Sequence, residues 1–441
     1  MTMWISAAEE PARKRGKKSP SSSSPPSLSS LPDEVVLSCV ARTSRSDRAA
    51  LSLVSRGYRS LAASPDLYKT RSRMGLTETY TYVCMRSCLD QNPRWYILRR
   101  GESENRLVRI QVPFCERSIL TLPQTDERMM THALPTEGST VVALDWGIYV
   151  IGGLIQGQFT DEVWLLDCRT HTWRQAPSMR VERAKPAAGI VAGKIYVFGG
   201  CIEPDSSHWA EAFDPKTQTW ETLAPMPDER LRSGGFRNTV VVREEKVYAV
   251  DSRDRSFYYS PSDGKWGRGN NDSLPGKRRD WCVVDKLIYC LDRHGRLWWC
   301  EPDELEGEQR QGEGEEEGIM YWREVNVLDS LKTALSNSRL VHLNRTREAS
   351  WASKNGSGRK LIDLRPGARL SSSGGSNIVL FWDVLIEGDR RRLEIWSADI
   401  SLERRQGGEI WGSVERSNAL KTVDQFIGHD YKVLHSVSVS L

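Results

Sequence analysis

No stretch of this chain stays apolar long enough to cross a bilayer. Its first basic residues are followed by serine and proline rather than an apolar core, so a secretory leader is not expected either. Histidine is scarce, 7 in 441 residues, and none has a neighbour at metal-ligand spacing. Gly-x-Ser-x-Gly is absent, and so is a phosphate-cradling glycine loop ending in Lys-Ser or Lys-Thr. Neither charge sign dominates: 62 Lys and Arg face 58 Asp and Glu, for a net charge of +4. That balance lacks the basic footprint of a nucleic-acid binder. The 9 cysteines fall at irregular intervals, several inside apolar runs, such as Cys282 and Cys290. They read as buried thiols in a reducing compartment, not as a disulfide framework. Cys84 and Cys88 form a loose pair with no second pair nearby, which leaves zinc without a site. Glu315, Glu316 and Glu317 are adjacent acids in a glycine-rich stretch and cannot hold a general acid and base apart. No catalytic residue, metal or cofactor is expected. Neither nucleic acid nor a membrane is expected as a partner.

What the chain does have is a repeat. Gly147-Ile-Tyr-Val-Ile-Gly-Gly153 returns as Lys194-Ile-Tyr-Val-Phe-Gly-Gly200. A second run follows each, ending in Leu166-Asp167 and in Phe213-Asp214, and a third begins at Thr172-Trp173 and Thr219-Trp220. Tyr149 and Tyr196 are 47 residues apart, and so are Trp173 and Trp220. Two landmarks with one offset mark a true repeat, whose length suits a solenoid, propeller or array. Each copy holds short β-branched and aromatic runs separated by turn residues, and no helical period. Arg169-Thr170-His171 and Pro215-Lys216-Thr217 stand where tight turns must join the last two strands. A four-stranded unit has two faces to bury, and radial stacking covers both.

The pattern decays without stopping. Lys246-Val-Tyr-Ala-Val250 and Lys286-Leu-Ile-Tyr-Cys290 replace the double-glycine run, with Trp266 and Trp322 after them. Asn377–Asp383, Leu393–Trp396 and Glu409–Trp411 give three more strands. Most of the 16 tryptophans fall at repeat phase and are expected to pack the core. Glu301 to Gly318 is acidic and glycine-rich, and is expected to be a solvated loop. The stretch near 336–370 lacks a strand triplet and reads as an insertion rather than a seventh blade. Counting from residue 77 gives about six blades. The first is short of a strand, and the alternating run Tyr431–Leu441 is expected to supply it and close the ring.

The region before the repeats differs. Residues 1–27 form a serine- and proline-rich tail with a basic run, Arg13-Lys-Arg-Gly-Lys-Lys18, expected to be disordered. The run is either a nuclear import signal or a solvated charge cluster, which leaves nucleus and/or cytoplasm as the compartment. Residues 28–72 turn helical. Ser29-Ser-Leu-Pro-Asp-Glu34 carries a cap, a first-turn proline and two acids suited to the helix dipole. A second helix is expected over Ser46–Ser55 and a third over Tyr58–Ala63, ended by Pro65. Their apolar faces exceed what such short helices bury among themselves.

Two resemblances follow. The double glycines, the apolar residue before Asp167 and Asp214, and the tryptophan six residues after each resemble the kelch repeat. Phe381-Trp-Asp383 is a single Trp-Asp without the upstream Gly-His of a WD-type propeller. Leu31-Pro-Asp-Glu34, Leu51-Ser-Leu-Val-Ser55, Arg59-Ser-Leu61 and Leu67-Tyr68 resemble an F-box. The order of the two resembles the plant F-box/kelch-repeat family. The resemblance implies a small all-α F-box module followed, over 77–441, by an all-β kelch-type propeller. It implies a substrate receptor of a ubiquitin ligase that binds a Skp-type adaptor, and through it a cullin, and does no chemistry itself. The adaptor face would be Leu31, Pro32, Leu37, Val40, Leu53, Val54 and Leu61. In such propellers the double-glycine strand is second from the axis, so the loops after it share one rim. Gln156, Phe159, His208, Arg253 and Arg293 lie on those loops here and are the candidate substrate contacts. The alternative is an oxidase-like propeller enzyme with an unrelated helical cap. It needs Tyr and His ligands on the axis, and His208 is the only histidine in phase.

Overall fold

The computed structural model describes residues 31–87, 90–101, 104–110, 138–155, 157–203, 207–228, 236–251, 253–272, 281–292, 295–306, 318–336, 369–386, 392–423 and 432–441. The tail 1–27 with its basic run, the core of the insertion near 336–370, and Gln156 and Arg293 lie outside them. The chain divides into two units, Met1–Leu76 and Thr77–Leu441.

The first unit holds four helices among its described residues: α1 Asp33–Ala41, α2 Arg45–Val54, α3 Arg56–Ala63 and α4 Pro65–Arg73. Three serines punctuate them. Ser44, Ser55 and Ser64 each accept the backbone N–H of Asp47, Tyr58 and Asp66, satisfying an orphan donor at the next helix start. Ser55 and Ser64 each end one helix and begin the next. One expectation, the cap of α1, is corrected; Pro65 ends the third helix as expected and also opens α4, which was not expected. A proline pushes the residue before it out of helical geometry, which terminates α3 at Ser64, while its own fixed φ suits a first helical position. The cap position of α1 is Pro32, with no side-chain cap, so Asp33 and Glu34 in the first turn provide the favourable charge instead. Val40, Ala41 and Leu67 form the core. The buried Arg71 ties α4 to the end of α1 by donating to the Ala41 carbonyl at 2.6 Å and the Thr43 carbonyl at 3.3 Å.

The second unit is a six-bladed propeller of four-stranded antiparallel sheets. Blade I takes its innermost strand from Lys432–Ser440 and then runs Thr79–Ser87, Asp90–Arg100 and Asn105–Arg109. Blade II is Thr140–Leu144, Gly147–Ile151, Val163–Asp167 and Thr172–Ala176. Blade III is Ala187–Val191, Lys194–Phe198, Ala210–Asp214 and Thr219–Thr222. Blade IV is Phe236–Arg243, Lys246–Asp251, Ser256–Ser260 and Lys265–Arg268. Blade V is Trp281–Val284, Leu287–Leu291, Leu297–Cys300 and Arg323–Glu324. Blade VI is Arg369–Ser372, Asn377–Leu385, Leu393–Arg404 and Ile410–Val423. The six first strands touch in order and return on themselves, so the ring is closed.

Closure occurs where the sequence placed it. Tyr80 pairs with Val439, Tyr82 with Val437 and Cys84 with His435, and Glu78 and Leu441 exchange two backbone hydrogen bonds at 2.9 Å. The expected strict alternation fails at one point. A bulge between Cys84 and Met85 leaves Leu434 unpaired, and Val433 and Leu434 are both buried. A second correction concerns Glu301–Gly318. Pro302–Leu305 is a turn of 3-10 helix that buries Leu305 completely, and residues 307–317 lie outside the described residues.

The tryptophan period has a physical cause. The outer-strand indole of one blade reaches back to the linker of the blade before it. Trp220 donates to the Pro177 carbonyl at 2.8 Å, Trp266 to the Ala224 carbonyl at 2.8 Å, and Trp322 to Asp272 at 3.0 Å. Each indole also covers the greasy seam between blades. Trp266 packs on Phe198, Trp209 and Tyr259 with ring centroids 4.8–5.5 Å apart.

Candidate functional site

Two surfaces are candidates. On the helical module, Leu53 and Val54 at the end of α2 keep 79% and 72% of their surface exposed. Leu31 and Pro32 ahead of α1 and Val35 within it are exposed as well. Large apolar side chains left in water on a small module mark a contact surface. Leu37 and Leu61 are half-buried against the core. Val40 is corrected: it is itself part of that core, with 5% of its surface exposed, because it falls on the α1 face turned toward Leu67 of α4. The exposure of Val35 was not foreseen, since a single apolar residue beside Val36 does not declare which of the two faces outward.

On the propeller, strands alternate in direction, so the connections after each second strand share a rim with the linkers between blades. In blade II this connection is a small hairpin in which Leu154 pairs with Phe159, and Phe159 is half-buried. In blade III it carries His208, half-buried, with Nδ1 2.9 Å from the Thr222 hydroxyl. In blade IV it carries Arg253, whose side chain is exposed. Phe159, His208 and Arg253 therefore sit on one rim.

The residues that shape this rim were not visible as such in the sequence. Gly152, at φ +58°, passes the linker so closely that a Cβ would meet the Arg183 carbonyl at 2.6 Å, and Gly153 donates to the same carbonyl at 2.7 Å. Arg183 and Glu211 are both fully buried and paired at 2.7 Å. The Arg183 guanidinium also donates to the carbonyls of Gly199 at 2.7 Å, Trp209 at 2.9 Å, and His208. Glu211 accepts the Arg180 backbone N–H at 3.0 Å. The pair thus fixes both ends of the loop that bears His208. In blades IV and V an aspartate replaces the double glycine. Asp251 accepts the N–H of Arg253 at 2.8 Å and of Arg255 at 2.9 Å, and Asp292 accepts that of Arg296 at 2.9 Å. What reads as decay of the repeat is a second way to make the same turn; the signal was the Asp one residue past each apolar run.

Burial raises the phenol pKa of second-strand residues Tyr149, Tyr196, Tyr248 and Tyr289. Tyr248 is pushed further by Glu306, to which it donates at 3.1 Å. These groups sit between blades, away from the rim. Among the described residues no cluster of three or more His, Cys, Asp or Glu is placed to hold a metal ion.

Comparison with known proteins assigns both units. An F-box domain model matches residues 28–70, and a model described as FKB95, Kelch-repeats domain, matches 95–333. A putative F-box/kelch-repeat protein of Arabidopsis thaliana is 37% identical, with 98% of each chain covered. An F-box/kelch-repeat protein of the same plant is 32% identical over 98% of this chain and 99% of its own. A second putative member there is 30% identical over 89% and 91%. With an F-box module followed by a kelch propeller, and relatives of that design matched along nearly their whole length, this chain belongs to the F-box/kelch-repeat family.

Proposed function

We propose that the chain is the substrate-recognition subunit of a Skp–cullin–F-box ubiquitin ligase, non-catalytic itself. The helices dock a Skp-type adaptor, and through it a cullin, while the propeller rim with Phe159, His208 and Arg253 holds a target protein. The contribution to ubiquitin transfer is proximity: a held target meets the transfer enzyme at high effective concentration. The observation that carries the reading is the exposed apolar set Leu31, Pro32, Val35, Leu53 and Val54 on a module whose core is already filled by Val40, Ala41 and Leu67. Co-purification of the full chain with a Skp-type adaptor tests it. Leu31→Ala with Pro32→Ala is expected to abolish adaptor capture while the propeller melts as before, and unchanged capture would overturn the assignment. The working compartment proposed is nucleus and/or cytoplasm. Exclusion from the nucleus on changing the basic run 13–18 to alanine would identify that run as an import signal.

A further inference from the structure

Among the described residues, the axis of the ring is not filled. Between the innermost strands lies a cavity of about 360 Å³, and every blade contributes to its lining. That is the small end of the range for sites that enclose organic ligands, about 300–1,000 Å³. Most residues around it are aliphatic, Ile190, Val240 and Val242 among them, and Val242 keeps 38% of its surface exposed, while polar atoms make up about as much of the wall surface as apolar ones.

The polar groups are few and alike. Arg369 enters from blade VI, His435 and Ser436 from blade I, Thr140 from blade II and Trp281 from blade V. Among the described residues no Asp or Glu lines the cavity, in a chain that carries 58 of them. A guanidinium, an indole N–H, two hydroxyls and an imidazole make a set dominated by donors. These side chains are held by the ring. Arg369 Nε donates to the Val433 carbonyl at 3.5 Å, and the Ser436 hydroxyl lies 2.5 Å from that of Ser371. His435 Nε2 lies 3.1 Å from the Ser139 hydroxyl, and its ring stacks on Trp95 at 11°. A ligand meeting them has little side-chain order to impose.

We propose that this cavity binds a small organic anion with an apolar body, an aromatic monocarboxylate, its carboxylate turned toward Arg369 and its ring against the valine walls. A charge-assisted hydrogen bond from the guanidinium fixes orientation, and removal of the ring from water supplies the rest. The site is distinct from the rim and from the helical face, and does not depend on the target.

The test uses the purified full chain with benzoate, cinnamate and naphthoate at millimolar concentration, followed by thermal melting and titration calorimetry. At least one carboxylate is expected to raise the melting temperature with concentration, as a ligand of the folded state must. Its neutral amide is expected to bind more weakly, and inorganic phosphate not at all. Arg369→Gln should weaken the carboxylate by about tenfold or more, the loss expected for one charge-assisted bond. Val242→Phe fills the cavity and should abolish binding of acid and amide alike. The proposal is overturned if none of the three acids binds, if the amide binds as tightly as its acid, or if phosphate alone reproduces the shift. It is overturned equally if either variant binds like the wild type, and Val242→Phe decides alone where Arg369→Gln does not fold.

Discussion

Arg183→Met is the most demanding test of how the rim that carries His208 is held. The substitution keeps an unbranched apolar stem, ends short of the guanidinium carbon and removes the charge. It leaves the Glu211 carboxylate fully buried with one remaining donor, the Arg180 backbone N–H. It also takes the guanidinium away from the carbonyls of Gly199, Trp209 and His208, of which that of Trp209 keeps the Gly199 N–H at 2.8 Å. Removing one partner of a buried ion pair costs about 3–5 kcal/mol, because the survivor is an uncompensated charge. The propeller spans Thr77–Leu441, about 365 residues. At about 2.1 cal/mol/K of unfolding entropy per residue, that penalty lowers its melting temperature by about 4–6 °C. Glu211→Leu alone should cost a similar amount, since it leaves the guanidinium buried without its counter-charge. The double variant should cost clearly less than the sum, because no unpaired charge remains. Melting of the two single variants and the double by differential scanning calorimetry closes the cycle. Strict additivity, or an Arg183→Met protein that melts with the wild type, would refute the argument that this pair anchors the His208 loop.

Three further outcomes are expected. Deleting residues 432–441 removes the innermost strand of blade I with the buried Val433, Leu434, Val439 and Leu441, and the melt should lose its sharpness and fall by many degrees; a truncated chain with an unchanged melt would mean that closure is dispensable. Tyr149, Tyr196, Tyr248, Tyr259 and Tyr289 have phenol pKa values raised by burial, so their stabilising contribution is complete below the ordinary phenol value and is lost as pH rises through the raised one. In an alkaline titration followed by phenolate absorbance these five should ionise late and together with unfolding, and early ionisation with circular dichroism intact would contradict their burial. Val40→Ala should destabilise the helical module by about 1–2 kcal/mol while Leu53→Ala changes its stability by less than about 0.5 kcal/mol, measured by urea melting, and the reverse order would mean that core and contact face have been exchanged.

The propeller was legible because its landmarks are forced by packing. A double glycine marks where the chain must turn against a neighbouring carbonyl, and a tryptophan marks where one blade clasps the next. Both recur at fixed spacing, so two good copies sufficed to find the rest. The closing strand was legible for a related reason, since its alternation could be matched to a blade visibly short of one. Three things were not. The fourth helix was hidden because Pro65 signals an end and a beginning equally well. The role of Asp251 and Asp292 was hidden because an aspartate after an apolar run looks like any turn. The Arg183–Glu211 pair joins a linker to a strand 28 residues on, and nothing local in either segment announces a buried charge. On the helical module, exposure at Leu53 and burial at Val40 both follow from which side of a short helix meets its neighbour, α3 for α2 and α4 for α1, and single apolar residues do not encode that side.

The pairing of Thr79–Ser87 with Lys432–Ser440 also sets an order of events during synthesis. The two strands emerge from the ribosome about 350 residues apart, roughly 20 to 70 seconds at ~5–20 residues per second. Over that interval the helical module is already complete, whereas the edge of Thr79–Ser87 has no partner and four or five finished blades have no ring to join. Such an edge is a template for wrong pairing until its own strand arrives. The nascent chain therefore passes through a long half-built stage in which one end is competent and the other is not. A message cut short ahead of residue 432 would yield a protein with a finished helical module and a permanently open blade.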